Sequence, residues 1–189
     1  MPNRIEICGN IASGKTTLAK AFNNAGYNCI LEDFSKIAYL DDFYKNPAKY
    51  AFETEVAFTL QHYYQIKKQE GTSFISDFSL INDYAFALTT LTQEEFSIYE
   101  KIFGHLFFNV GAPGKVILLE TSVDELQRRI IQRARDNEKS ITAKYLNQIY
   151  VNIIETLESK FKSVKTIKIN TENYVSQNYS KDFLLNLLI

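Results

Sequence analysis

The run Gly9-Asn10-Ile11-Ala12-Ser13-Gly14-Lys15-Thr16 follows directly on the strand-like stretch Arg4-Ile5-Glu6-Ile7-Cys8. It has the form G-x-x-x-x-G-K-[ST], a phosphate-binding loop, with a strand before it and a helical pattern after it, as the motif requires. Glycine at both ends lets the backbone curl until successive N–H groups point inward at a phosphate chain. Lys15 can reach the β- and γ-phosphates, and the Thr16 hydroxyl suits Mg²⁺. Thr17 continues the loop into a helix whose positive end faces the same phosphates. Gly9 to Thr17 is therefore the expected seat of a nucleoside triphosphate.

Carboxylates recur where the other apolar stretches end: Glu32-Asp33, then Asp77, then Glu120. Phosphoryl transfer needs a Mg²⁺ ligand and a group that orients or deprotonates the acceptor. Glu32 and Asp77 together fit those needs best, with Asp77 a second metal ligand beside Thr16. Asp33 and Glu120 read equally well as solvated loop carboxylates or helix caps. A polar stripe of Glu55, Thr59 and His62, flanked by Phe52 and Ile66, falls at helical spacing among largely apolar neighbours. Such a helix should be buried, so its stripe must meet other polar groups or a ligand. Arg128, Arg129, Arg133 and Arg135 form a fourth cluster, of the kind that steadies phosphate oxygens but is also common on surfaces.

The elements that position these residues can be read from pattern. A helix over 15–25, ended by Gly26, follows the loop, and a short strand over 28–31 comes next. Asn46-Pro47 reads as N-cap and first helical residue of a helix to about 68. A strand over 72–76, helices over 81–91 and 93–110, and a strand over 115–119 follow. Ser122 and Glu125 suit a capping box, a helix begins near 142, and a strand over 165–169 precedes a short last helix. Short strands alternating with long helices predict an α/β fold: a five-stranded parallel sheet covered on both faces. Ligands in such sheets bind at the carboxyl ends of the strands, where the acids lie.

With 189 residues, 46% hydrophobic and 23% charged, the chain fits one globular domain, residues 1–189. A net charge of −1 gives no basic field for nucleic acid. Cys8 and Cys29 fall in expected strands, as small hydrophobes rather than as disulfide or zinc partners. No apolar run is long enough to span a bilayer and the first strand begins almost at once, so no membrane association and a cytoplasmic setting are expected.

Together these residues resemble the deoxyribonucleoside kinase family, which transfers the γ-phosphate of ATP to the 5′-hydroxyl of a nucleoside. The resemblance runs from Arg4 to about Leu157 in one consistent order. It implies a nucleoside-kinase fold, ATP with Mg²⁺, a small nucleoside as partner, and a homodimer through helices beside the substrate helix. It also implies that Glu32 is the general base and that Tyr44, within Phe43-Tyr44-Lys45-Asn46-Pro47, meets the sugar 3′-hydroxyl. Arg133-Ala134-Arg135-Asp136-Asn137-Glu138 resembles the arginine-bearing lid, about 133–141, with Arg133 and Arg135 on the phosphates and Glu138 on the sugar. Asp83 matches a base-contacting aspartate.

Three positions depart from the family pattern. Glu55 stands for a base-binding glutamine, His62 for an arginine two turns further on, and Phe78 for the arginine of an acidic-Arg-Ser triplet. An ionised glutamate offers only acceptors, which match the adjacent N1–H and N2–H donors of guanine. Glu55 thus points to a guanine nucleoside. A nucleoside monophosphate or another small alcohol is the alternative acceptor, and a non-catalytic nucleotide-binding module is the alternative of another class.

Overall fold

The computed structural model describes residues 3–135, 138, 140–172 and 179–189. Five strands, β1 (Arg4–Gly9), β2 (Cys29–Ile30), β3 (Phe74–Ser76), β4 (Lys115–Glu120) and β5 (Lys165–Asn170), form one parallel sheet in the order β2-β3-β1-β4-β5. Strand β4 lacks polar alternation because both faces are covered, while the two charged residues of β1, Arg4 and Glu6, are buried as an ion pair at 2.8 Å. Val116 and Leu118 of β4 join one core, while Ile117 and Leu119 join the other. Helices α3 (Pro47–Lys68), α4 (Leu80–Thr90), α5 (Gln93–Val110) and α7 (Ala143–Ser159) contribute to the first. Helices α1 (Lys15–Asn24) and α8 (Lys181–Leu188) close the second. A short α2 (Leu40–Lys45) and α6 (Val123–Arg133) complete the helices among the described residues.

The chain order brings β1 and β3 side by side with β2 outside them, so the phosphate loop, Glu32 and Asp77 emerge along one edge of the sheet. The expected fold is therefore present, with local differences. Strand β2 is only two residues long and Cys29 is half-buried, since it lies on the sheet edge. Helix α2 has no counterpart in the sequence reading; six residues with a single buried side chain, Phe43, carry too little periodicity to be seen.

Helix ends differ as well. Pro47 opens α3 as expected, but Asn46 makes no side-chain cap. Ser122 does cap α6, yet Glu125 turns to Arg128 and Arg129, so the capping box is half made. The complete box is Thr92 with Glu95, at the start of α5. Helix α3 is not buried all round: its polar stripe faces inward, while Leu60 and Tyr64 face solvent.

Candidate active site

The loop between β1 and α1 wraps the end of the sheet. Gly9 takes φ +152°, and a Cβ there would lie 2.7 Å from Ser13 Oγ and 3.0 Å from the Leu119 carbonyl, so only glycine fits. Ala12 and Gly14 also adopt positive φ, 62° and 104°, which curls the loop, and the Ser13 amide donates to the Asn10 carbonyl at 3.2 Å. Asn82 of α4 fixes the base of the loop, accepting from the Gly9 amide (3.1 Å) and donating to the Gly9 carbonyl (2.7 Å). Asn10 donates to the Leu146 carbonyl (2.7 Å), and Arg129 donates to the Ser13 carbonyl (3.3 Å) while holding Thr171. Lys15 donates to the carbonyls of Gly9 and Asn10, each at 2.9 Å. Burial pushes its pKa down, countered by Glu32 nearby.

Three carboxylates gather beside this loop. Asp77 Oδ1 accepts from the Glu32 amide at 2.6 Å. Its Oδ2 is buried without a hydrogen bond among the described residues. Burial raises the pKa of Asp77, offset in part by the neighbouring Thr16 hydroxyl and the Glu32 amide. Glu32 Oε1 meets His62 Nε2 at 3.0 Å, and His62 Nδ1 meets both oxygens of Asp83 at 2.9 Å. His62 is 2% exposed, with its ring stacked on Phe78 at 4.2 Å. Burial alone would lower its pKa, but Asp83 and Glu32 outweigh that and carry it up to about 10. Asp83, expected to contact the base, and His62, standing for a family arginine, therefore spend these atoms on each other and on Glu32.

Deeper in the same cleft, of about 930 Å³, lie Glu55, Thr54, Phe58, Phe86 and Tyr145. Thr90 donates to Glu55 Oε1 at 2.9 Å. Burial without a cationic partner pushes the Glu55 carboxyl up to about 8, with Thr90 opposing and Asp83 adding to the rise. At the mouth, Arg133 and Arg135 both turn to Glu138, at 2.5 and 3.3 Å. Tyr44 lines the cleft with them; burial and the Glu138 charge push its hydroxyl up to about 12. Asp136 and Asn137 of the expected lid, with position 139, lie outside the described residues.

The structure thus gathers Ile11–Thr17, Glu32, Tyr44, Glu55, His62, Asp83, Arg133, Arg135 and Glu138 around one cleft, with Asp77 bonded to the Glu32 amide behind it and Gly9 and Asn10 held at the base of the loop. Glu120 is elsewhere, taken up by Tyr150 and Lys168, and Asp33 caps the 3-10 turn over 34–36. Sequence reading missed Asn82, whose polar side chain within the apolar run Leu80-Ile81-Asn82 was the available signal. It also missed Tyr145, which nothing in its local pattern distinguishes. Among the described residues no three or more His, Cys, Asp or Glu form a self-contained metal site. Thr16 and Asp77 instead suit a cation whose remaining ligands are phosphate oxygens and water. No helix among the described residues is long and apolar enough to cross a membrane.

A phosphate loop on a parallel sheet, opening on a cleft of about 930 Å³, defines a nucleotide-binding protein of the P-loop class. The family model for deoxynucleoside kinases matches residues 5–187, and the chain belongs to that family: it is an enzyme of nucleoside phosphorylation. It is 30% identical to a deoxyguanosine kinase of Bacillus subtilis over 192 residues, covering 96% of this chain and 89% of that one. A deoxyadenosine kinase of Dictyostelium discoideum is 30% identical over 180 residues, 90% of this chain and 73% of its own. Among solved structures, a deoxyadenosine kinase from M. mycoides with bound dATP shares the fold, with a TM-score of 0.84, 20% identity and 98% of each chain covered.

Proposed function

We propose that this kinase transfers the γ-phosphate of ATP to the 5′-hydroxyl of a purine deoxynucleoside, with guanine favoured where Glu55 ionises, above about pH 8. The observation that carries this reading is the meeting of Glu32, Asp77 and Lys15 at the junction of loop and cleft. That junction is where an acceptor hydroxyl in the cleft and a terminal phosphate in the loop would come together.

In this reading the loop amides and Lys15 hold the triphosphate, and Arg133 and Arg135 leave Glu138 for the phosphates. Thr16 and Asp77 would hold Mg²⁺, which would neutralise phosphate charge. Glu32 accepts the proton of the 5′-hydroxyl as that oxygen bonds to phosphorus and ADP leaves. Tyr44 and Glu138 take the sugar, and the aromatic side chains of Phe58, Phe86 and Tyr145 enclose the base. Deoxyguanosine kinases of Bacillus subtilis and Dictyostelium discoideum among the relatives support a purine acceptor, while a deoxyadenosine kinase at the same identity keeps adenine in range. We extend the reading to a homodimer through helices beside the substrate helix α3, as the resemblance to the family implies.

The deciding experiment is phosphate transfer from ATP·Mg²⁺ across a panel of ribo- and deoxyribonucleosides and their monophosphates, with products resolved by mass. At about pH 9, where Glu55 is ionised, a deoxyguanosine 5′-monophosphate product in first rank is expected. Phosphorylation of monophosphates alone would overturn the acceptor assignment, and first rank for a pyrimidine would overturn the role of Glu55.

A further inference from the structure

Between the proposed base and the interior of the cleft stands a group that has two acids and no solvent. His62 projects from the inward stripe of α3, and its side chain is 3% exposed. Its Nε2 meets one oxygen of Glu32, and its Nδ1 is shared between the two oxygens of Asp83 on α4. Ionised carboxylates only accept, so a histidine between two of them donates from both nitrogens. The ring cannot readily turn: Phe78 lies flat against it at 4.2 Å and Phe58 packs near it at 5.9 Å. Asp83 is rooted in a helix and His62 in another, so the Nε2–H direction is fixed by two rigid elements.

Glu32 has no such rigidity of its own. It follows a strand of only two residues, and its anchor is the single backbone bond to Asp77. Among the described residues its Oε2 takes no hydrogen bond, while the ammonium of Lys15 in the phosphate loop feels its charge. A Glu32 carboxylate released from His62 would be drawn toward Lys15. That would remove the base from the acceptor and the ammonium from the phosphates together.

We infer that His62 is a positioning residue for Glu32: anchored by Asp83, it holds Oε1, keeps Glu32 off Lys15, and leaves Oε2 to face the acceptor hydroxyl. This rests on the reading of Glu32 as the acceptor base. It goes beyond that reading in assigning His62 to the reaction rather than to recognition of the nucleoside base.

The test is a kinetic cycle on the full chain with Glu32→Gln, His62→Gln and the double variant, with ATP binding by calorimetry confirming a folded loop. His62→Gln is expected to lower kcat about 10- to 100-fold, as lost orienting partners commonly do, with the KM for ATP little changed. In the Glu32→Gln background the same change should alter kcat less than about threefold, because nothing is left to position. Adding Phe78→Arg to His62→Gln, which restores a cation beside the same carboxylates, should recover much of kcat. An equal loss in both backgrounds would make His62 merely structural and overturn the inference. If His62→Gln does not fold, Asp83→Asn is read through the same cycle, with the same two outcomes. Should Glu32→Gln alone keep most of kcat, the base assignment itself fails, an outcome distinct from additivity.

Discussion

The imidazole of His62 lies flat on the ring of Phe78, with centroids 4.2 Å apart and planes 6° from parallel. A phenyl face next to an imidazolium is favourable, by about 0.5–2 kcal/mol for a cation on an aromatic ring. It also keeps water off a group that bridges two carboxylates. Phe78 thus supports the local cation that a side chain at 78 does not itself supply.

Removing the main actors separates chemistry from binding. Glu32→Gln is expected to lower kcat by about 10²- to 10⁴-fold with little change in ATP affinity, the range for a lost general base. Lys15→Ala should lower kcat by about 10²- to 10³-fold and weaken ATP binding as well. Steady-state kinetics beside calorimetry with ATP will show the contrast.

Base choice should depend on pH through Glu55. Its carboxyl is pushed up to about 8 by burial, so at pH 6.5 it is neutral and offers one donor and one acceptor, like glutamine. Above pH 8 it is ionised and offers acceptors only. The ratio of kcat/KM for deoxyguanosine over deoxyadenosine should therefore rise between pH 6.5 and 9 and lie flat in Glu55→Gln.

The same residue weakens the fold as pH rises. A carboxyl at about 8 when folded and near 4.5 when unfolded binds its proton more tightly in the native state. Nothing is lost below the unfolded value; the penalty grows as pH climbs from 4.5 to about 8, to at most about 5 kcal/mol. Glu55→Gln should thus unfold at a higher temperature than the parent at pH 8 and at nearly the same temperature at pH 5.

His62 acts in an overlapping window. Carried up to about 10 by Asp83 and Glu32, it stabilises the fold fully below its unfolded value of 6.5 and loses that contribution as pH rises through 10. Nitrogen chemical shifts of the ring should report a protonated imidazole at pH 8. A neutral ring at that pH would contradict the two-carboxylate arrangement.

Arg129 reaches the carbonyl of Ser13 and that of Thr171, so it braces the phosphate loop against the end of β5. Arg129→Ala should raise the KM for ATP about tenfold with a smaller change in kcat, because the loop is loosened while Glu32 is untouched. Unequal effects in the opposite sense would show that Arg129 contacts the transferring phosphate.

Much of this was legible in residue order. The glycine positions of the loop and the doubly buried strand β4 declare themselves through spacing and unbroken hydrophobicity. The rule that ligands sit at strand ends picked out Glu32 and Asp77, and the stripe on α3 was readable from its period. What could not be read was which acid faces which neighbour. Glu120 ends β4 and Glu32 follows β2, yet only strand order and side-chain packing send one to Tyr150 and the other to His62. Nor does helical periodicity show that His62 meets Asp83, 21 residues away on another helix.

The shared environment of positions 62 and 78 also limits how this sequence can change by inheritance. An arginine at 78 beside an intact His62 would crowd two cations over the same carboxylates, while a neutral residue at 62 beside phenylalanine would leave those carboxylates buried with neither. Each step taken alone is expected to give a poorer enzyme. The two sites are expected to vary as a pair.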